Sequence, residues 1–195
     1  MRPPVLLLDV MDTLVEDPFF TRVPAFFGLP FEELVKVKSP TAWLDFERGL
    51  IDEDEYARRA FVDGRAYDHD AFRALMVDGY RFLDGVEDLL VELRARGVEM
   101  HALSNYPPWY RLLDEKLGLS RFLSWRFVSC HTGVRKPDPE AYLGPLRALE
   151  RRPEECLFVD DRGANCKAAA ALGIRAHRFE SAAGLRGFLV DAGVL

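Results

Sequence analysis

The sequence predicts an α/β fold with a parallel β-sheet and a helical insertion after the first strand. Three observations support this prediction. Short apolar runs recur along the chain, as is typical of buried parallel strands. Amphipathic helical patterns separate these runs from residue 84 onward. Residues 16–82 contain helical patterns but no β-rich run. Strands joined by helices of this length imply parallel pairing with right-handed crossovers.

The first strand is predicted at residues 5–8, where four apolar residues precede Asp9. The insertion that follows is rich in aromatic residues, which we expect to form mostly a small core of their own. Pro and Gly residues divide it into short helical segments. These segments are predicted at 31–37, 42–48, 52–61 and 70–82.

After the insertion, helices and strands alternate to the end of the chain. Apolar residues recur at helical spacing from Val86 to Leu93, with Asp84 as the expected capping residue and Gly97 as the end of the run. The remaining elements follow the same rules for starts and stops. They are a strand at 98–103, a helix at 108–117, strands at 125–129 and 156–159 separated by a helix at 138–149, a helix at 163–172, a strand at 174–178 and a helix at 181–192.

Length and charge limit the possible partners. The chain has 195 residues, which suits one domain with a modest insertion. Its formal net charge is −6 and it has no long basic run, so neither a nucleic acid nor an anionic membrane surface is an expected partner. No apolar stretch approaches the roughly 20 residues that span a bilayer, and nothing indicates export. Three cysteines without CxxC spacing favour reduced thiols in a cytoplasmic protein.

Carboxylates follow two of the predicted strands. Asp9 comes directly after the first strand, and Asp160 and Asp161 come after the strand at 156–159. Because parallel sheets gather ligands at the carboxyl ends of their strands, we expect these side chains to meet at one site. Three carboxylates would repel one another unless a cation lay between them, and oxygen-only ligation suits Mg²⁺. The sequence therefore predicts a magnesium site.

Other polar residues also follow predicted strands. Ser104 and Asn105 follow the strand at 98–103, and Lys136 lies a few residues past the next strand. An Asp beside a metal can attack phosphorus and form an acyl-phosphate, while Ser104 and Lys136 hold the phosphoryl oxygens. Thr13 can add a donor, and Asn105 can face the substrate. Each residue alone is more simply a solvated loop residue, so the order of the set is what indicates a site.

Four ordered segments resemble the haloacid dehalogenase (HAD) superfamily from end to end. They are Asp9-Val10-Met11-Asp12-Thr13-Leu14, Leu103-Ser104-Asn105, Lys136-Pro137-Asp138-Pro139, and Asp160-Asp161 with Asn165. The resemblance implies a Rossmann-like core made of residues 1–15 and 83–195. Residues 16–82 are placed like the class I helical cap of this superfamily, which usually selects the substrate.

The same resemblance implies roles for individual residues. It implies Asp9 as the nucleophile and Ser104 and Lys136 as phosphate-binding residues. The implied Mg²⁺ ligands are Asp9, the carbonyl oxygen of Met11 and Asp161, with Asp160 in support.

One position departs from the pattern of the superfamily. Its phosphatases typically carry a second Asp two residues after the nucleophile, where it protonates the leaving oxygen, and here that residue is Met11. A thioether cannot transfer a proton, and general acid–base help is worth ~10²–10⁴ in rate. Slow turnover, a substitute acid or an undemanding leaving group would follow. Asp12 is a candidate catalytic acid if it turns inward, and a role in the turn explains it equally well.

A closer resemblance is to plant-type flavin mononucleotide hydrolases, and it includes Met11. The segments that carry it are Asp9 to Thr13, Asp17-Pro18-Phe19, Val23 to Gly28, Pro40 to Trp43 and Arg135 to Pro139. This resemblance implies flavin mononucleotide as a substrate, whose ring system would suit an aromatic pocket in the cap that uses Trp43 or Phe20.

Three functional hypotheses remain open from the sequence. The first is a Mg²⁺-dependent phosphomonoester phosphatase that acts on a small phosphorylated metabolite. The second is a binding or regulatory protein with negligible turnover, because Met11 replaces the acid. The third is a metal-free 2-haloacid dehalogenase, which the doubly acidic Asp160-Asp161 pair argues against. The sequence leaves the oligomeric state open.

Overall fold

The computed structural model describes residues 3–195 and contains a parallel sheet of five strands. The strands are β1 (Val5–Leu8), β2 (Met100–Ser104), β3 (Ser124–Val128), β4 (Cys156–Asp160) and β5 (Arg175–Arg178). Their order across the sheet is β3-β2-β1-β4-β5, and all four neighbouring pairs are parallel. The predicted α/β fold class is therefore confirmed.

Twelve α-helices are described, together with short 3₁₀ turns at Leu119–Arg121 and Pro153–Glu155. Six precede β2 in the inserted region: α1 (Pro18–Thr21), α2 (Val23–Phe27), α3 (Phe31–Val37), α4 (Ala42–Glu47), α5 (Glu53–Arg59) and α6 (His69–Gly79). The other six are α7 (Val86–Ala95), α8 (Tyr110–Leu117), α9 (Ser129–Thr132), α10 (Glu140–Leu149), α11 (Gly163–Ala171) and α12 (Ala182–Asp191).

The central strand β1 sets the position of the chemistry. Its residues are completely or almost completely buried, and Leu8 lies opposite Ala102 of β2 and Val159 of β4. The backbone N–H of Asp9 then donates to the carbonyl of Val159 at 2.9 Å. In this register, Asp9 and Asp160 end neighbouring strands at the same edge of the sheet.

Side chains of β1 alternate between two apolar clusters, as the period of a strand requires. Val5 and Leu7 join one cluster with Phe158, and Leu6 and Leu8 join the other. The second cluster also contains buried aromatic residues of the insertion, such as Phe46 of α4. The expectation that these aromatics form a core of their own is therefore corrected, because they extend one face of the sheet core.

The core elements lie within two residues of their predicted bounds, but several details differ. Gly85 caps α7 in a left-handed conformation (φ 74°), in place of the expected Asp84. The helix predicted to reach Phe82 ends at Gly79, because the chain then turns into an extended segment. The short helices α1, α2 and α9 were not predicted, since four or five residues carry too little periodicity.

The segments that lead into and out of the insertion lie side by side. Val15 pairs with Phe82 in an antiparallel bridge, and the N–H of Leu83 donates to the carbonyl of Leu14 at 3.0 Å. The N–H of Glu16 donates to the carbonyl of Arg81 at 2.9 Å. This pairing is compatible with the division at residues 15/16 and 82/83, which stays a prediction.

Two features bear on the expectations from composition. Within residues 3–195, no helix has the length and apolar character needed to cross a membrane. Cys130, Cys156 and Cys166 are all free thiols, which agrees with the prediction of reduced cysteines.

Candidate active site

Lys136 lies between two carboxylates at the carboxyl ends of β1 and β4. Its Nζ is 2.9 Å from Oδ1 of Asp9 and 2.6 Å from Oδ2 of Asp160. All three side chains are buried, so the pairing is weakly screened. A buried lysine flanked by two carboxylates has a fixed position and remains charged.

Three carboxylates form an oxygen cluster at the same place. Asp9, Asp160 and Asp161 each offer an oxygen, and these oxygens all lie within 4.8 Å of one another. One lysine cannot neutralise three adjacent anions, and a set of oxygen donors at this spacing suits a hard divalent cation. The residues present therefore fit Mg²⁺.

The carboxylate of Asp160 is already fully used by the protein. Nδ2 of Asn165 donates to both of its oxygens at 3.0 Å, and the N–H of Arg162 donates to Oδ1 at 2.8 Å. Asp160 is completely buried, whereas Asp9 and Asp161 border an open cleft. Asp160 thus orients Lys136, and the other two carboxylates face the ligand space.

Asn105 fixes the backbone of Lys136 through two reciprocal hydrogen bonds. Its Nδ2 donates to the carbonyl of Lys136 at 2.9 Å, and its Oδ1 accepts from the N–H of Lys136 at 2.8 Å. Asn105 also borders the cleft. The residue after β2 therefore helps to hold the lysine in place.

The electrostatics follow from burial and from these neighbours. Burial raises the pKa of Asp9 to about 6 against the opposing effect of Lys136, with Asp160 adding to the rise. Burial alone would lower the pKa of Lys136, but Asp9 and Asp160 raise it above its ordinary value. Burial, and then the Asp160 charge, raise the pKa of Asp161. The pKa values of all three groups are raised, because the site is buried and contains more carboxylates than cations.

Ser104 and Thr13 are both buried, but only the hydroxyl of Thr13 has a hydrogen-bond partner in the described residues. Among the described residues, Oγ of Ser104 is buried without a hydrogen-bond partner. Ser104 does not border the cleft, but it lines a neighbouring cavity of about 350 Å³ together with Lys136 and Asn105. An unpartnered buried hydroxyl is costly, and a ligand oxygen would satisfy it. Oγ1 of Thr13 instead accepts from the N–H of Asp161 at 3.0 Å and does not border the cleft.

Met11 and Asp12 both border the cleft. Asp12 has a positive φ of 55°, a conformation that Asp tolerates better than most residues. Its Oδ1 accepts from the N–H of Asp17 at 2.9 Å. The structure therefore gives Asp12 a role in the turn, which was one of its two interpretations, and its catalytic role stays a prediction.

Residues of the insertion, such as Trp43 and Glu47, also border the cleft. The cleft has a volume of about 90 Å³. Glu47 of α4 is buried and paired with Arg135 of the core, and the N–H of Arg48 Nε donates to the carbonyl of Gly133 at 3.2 Å. Burial raises the pKa of Glu47, and Arg135 opposes the rise. The residues around the cleft are Asp9, Met11, Asp12, Asp17, Trp43, Glu47, Asn105, Tyr106, Arg135, Lys136, Asp161, Arg162 and Asn165.

A second cavity, the aromatic cavity, lies under the cap and has a volume of about 180 Å³. Trp43 is central to it, with edge-to-face contacts to Tyr56 and Tyr106 at centroid distances of 5.5 and 6.0 Å. Trp43 and Phe20, the aromatic residues proposed from sequence, both line this cavity. Its lining is Asp17, Phe19, Phe20, Lys38, Trp43, Tyr56, Phe72, Met76, Tyr106 and Arg162.

Sequence reasoning missed several polar residues of these two spaces. It gave no site role to Asp17, Lys38, Glu47 or Arg162, all of which the structure places at the cleft or the cavity. An Asp followed by Pro is a typical helix start, so the sequence allows Asp17 to be predicted as a helix cap. No local pattern indicates that its side chain faces a ligand space, because that depends on how the cap packs.

Comparisons with known proteins agree with this geometry. The family described as haloacid dehalogenase-like hydrolase matches residues 7–173. Flavin mononucleotide hydrolase 1 of Arabidopsis thaliana is 49% identical over 98% of this chain and 78% of its own length. Phosphoglycolate phosphatase 1 of Pseudomonas aeruginosa is 30% identical over 89% of this chain and 68% of its own length. The chain belongs to the haloacid dehalogenase-like hydrolase family and is a hydrolase.

Solved structures share the fold. A HAD-family enzyme of Bacteroides thetaiotaomicron, crystallised as a magnesium complex, aligns with a TM-score of 0.76 at 21% identity over 93% of this chain and 96% of that one. The L-2-haloacid dehalogenase of Xanthobacter autotrophicus aligns with a TM-score of 0.64 at 20% identity over 100% of this chain and 85% of that one. At these identities the likeness establishes the architecture alone.

Proposed function

We propose that the protein is a Mg²⁺-dependent phosphomonoester phosphatase that passes through an aspartyl-phosphate on Asp9. The observation that carries this proposal is the meeting of Asp9, Lys136 and the carboxylate cluster at the ends of β1 and β4. A nucleophilic carboxylate, a fixed cation and a set of oxygen donors for a metal are the groups that phosphoryl transfer to a protein side chain needs.

Each residue has a distinct part in the proposed reaction. An oxygen of Asp9 attacks phosphorus, the bond from phosphorus to the ester oxygen breaks, and water later hydrolyses the phospho-Asp9. Lys136 binds phosphoryl oxygens as their charge redistributes. The unpartnered hydroxyl of Ser104 is buried next to the cleft, and its part in phosphate binding stays a prediction. Asp9, Asp161 and the carbonyl of Met11 would hold Mg²⁺, which supplies positive charge at the phosphoryl group, and Asp160 supports this set through Lys136.

We infer that flavin mononucleotide is a substrate. The aromatic cavity adjoins the phosphate cleft and shares lining residues with it, which suits a phosphate attached to a flat ring system. Rings such as Trp43 and Phe20 offer edges and faces for stacking. Lys38 and Arg162 add positively charged side chains to the lining of this cavity, which suits a ring system with polar edges. The 49% identity to a plant flavin mononucleotide hydrolase, which extends through the cap, supports the same substrate.

Two other functions have less support. Metal-free 2-haloacid dehalogenation leaves no use for three carboxylates whose oxygens lie within 4.8 Å of one another. A binding protein without turnover is favoured only by Met11. The buried, oriented pair of Lys136 and Asp9 favours a working site.

Phosphate release from flavin mononucleotide tests the proposal. We expect release with Mg²⁺, loss of release with a chelator, and a fall on the order of 10⁴–10⁶ in the Asp9→Asn variant. Asp52→Asn, the same substitution at an exposed helix cap of α5, serves as the matched control. Equal phosphate release by the wild type and Asp9→Asn, or release that ignores the chelator, would overturn the proposal.

We also propose a cytoplasmic location, which the three free thiols support. The name of the Arabidopsis relative places that relative in the chloroplast. This name describes the relative and not the present chain. Fractionation of source cells with an antibody to the protein tests this: recovery from an organelle or from the medium would contradict it.

A further inference from the structure

Four residues border both the phosphate cleft and the aromatic cavity. They are Asp17, Trp43, Tyr106 and Arg162, and we call them the junction residues. A substrate with its phosphate in the cleft and its organic part in the cavity must place its ester oxygen at this junction. That oxygen is the atom that leaves phosphorus and requires a proton.

Only one junction residue can exchange a proton near neutral pH. The indole of Trp43 has no acidic group of suitable strength, and a guanidinium such as that of Arg162 does not serve as a proton donor. Burial raises the pKa of Tyr106 well above its ordinary value, and its hydroxyl is paired with that of Tyr80 at 2.7 Å. Asp17 is the remaining candidate, because burial raises its pKa to about 6.

The carboxylate of Asp17 also has one oxygen to spare. Oδ1 accepts the N–H of Phe19 at 2.9 Å as the N-cap of α1, which fixes the side chain. Within residues 3–195, Oδ2 has no hydrogen-bond partner, and the protein does not enclose it completely. One oxygen therefore anchors the group and the other remains available to a ligand.

We propose that Asp17 is the proton donor to the leaving oxygen, in the place that Met11 leaves without an acid. This inference rests on the proposed phosphatase function. In the first step, a bond forms between Asp9 and phosphorus, the ester bond breaks with its electron pair on oxygen, and that oxygen takes the proton of Asp17. In the second step, water attacks phosphorus and gives its proton to Asp17, while the electron pair of the broken acyl-phosphate bond returns to Asp9.

Charged and titratable groups from several elements surround Asp17. Asp12, in the turn after β1, raises the pKa of Asp17, while Arg162 after β4 and Lys38 after α3 lower it. The phenols of Tyr80 and Tyr106 are close enough that the charge of Asp17 adds to the rise that burial causes in their pKa values. Because the donor must be protonated, we expect activity on alkyl phosphates to fall as the pH rises through the pKa of Asp17.

The test compares leaving groups in Asp17→Asn. Asn caps helices as well as Asp does, so this variant keeps the N-cap of α1 and removes the group that can transfer a proton. We expect kcat for flavin mononucleotide, whose leaving alcohol needs a proton, to fall by ~10²–10⁴. The pre-steady-state burst of nitrophenolate from 4-nitrophenyl phosphate, which leaves without a proton, should fall by less than about tenfold. The variant should also lose the alkaline decline in its pH profile. Asp52→Asn is the matched control.

The outcomes separate this inference from the proposed function. If the wild type hydrolyses neither substrate, the phosphatase proposal fails. If the wild type is active and Asp17→Asn loses both substrates equally, or neither, the proton-donor role fails and the phosphatase proposal stands. If Asp12→Asn, and not Asp17→Asn, shows the selective loss on flavin mononucleotide, the donor is Asp12 and our assignment is overturned.

Discussion

The cleft at the ends of β1 and β4 and the aromatic cavity meet at the junction residues, yet different interactions hold their side chains. In the cleft, Lys136 is fixed by two carboxylates and by the amide of Asn105, all at 2.6–2.9 Å. Such charge-assisted, directional bonds allow one arrangement. The polar cluster around Lys136 lies at the carboxyl ends of adjacent strands, so the register of the sheet sets its geometry.

In the aromatic cavity, packing takes the place of directional bonds. Rings meet edge to face, as Trp43 and Tyr56 do, and Phe20 is half exposed. The lysine of this cavity, Lys38, lies 4.0 Å over the ring of Phe19 and has no carboxylate partner at ion-pair distance within the described residues. We therefore expect substitutions in the cleft to lower both stability and activity, and substitutions in the cavity to affect substrate binding.

The largest expected difference is between the two lysines. Lys136→Met leaves Asp9 and Asp160 buried without their cation, so we expect a loss of about 3–5 kcal/mol in the free energy of unfolding. Lys38→Met should not lower the free energy of unfolding, because burial lowers the pKa of Lys38 to about 8 and its charge therefore contributes no stability at pH 8. Urea unfolding at pH 8 without divalent metal measures both. Equal losses in the two variants would remove the distinction between cleft and cavity.

A smaller change in the free energy of unfolding is expected for Asp17→Asn at the junction, and it should be an increase. Burial raises the pKa of Asp17 from 3.8 to about 6, so the folded state binds its proton more tightly than the unfolded state. This contribution to stability is present below pH 4 and is lost as the pH rises through about 6. Asp17→Asn should therefore stabilise the protein by about 1–3 kcal/mol at pH 8 and not at pH 4. Urea unfolding at both pH values tests this, and destabilisation at pH 8 would contradict it.

The smallest effect is expected in the cavity wall. Phe20→Ala removes a half-exposed ring, so stability should barely change, while KM for flavin mononucleotide rises about 2–10-fold through lost stacking. KM for a phosphate ester without a ring should stay the same. Val190→Ala, at a similarly exposed position on α12 outside both spaces, is the control. An equal rise in KM for both substrates would show that Phe20 acts on the phosphate end.

The same contrast explains what the sequence could predict. Asp9, Lys136, Asp160 and Asp161 follow strands, and the parallel arrangement of strands brings such positions together whatever the details of packing. The residues of the cavity come from separate short helices, and Asp17 and Lys38 reach it only through the way the cap folds onto the sheet. The turn role of Asp12 was one of two interpretations, and its positive φ is not visible in local sequence.

The two segments that join the insertion to the sheet run side by side, with Leu83 donating to Leu14 at 3.0 Å. The chain thus leaves the central strand and returns almost to its point of departure before α7 begins. Because its two ends are adjacent, the insertion can be lengthened, shortened or replaced without displacing the strands of the sheet. Such an arrangement allows the insertion to change in evolution while the cluster of polar side chains on the sheet is kept.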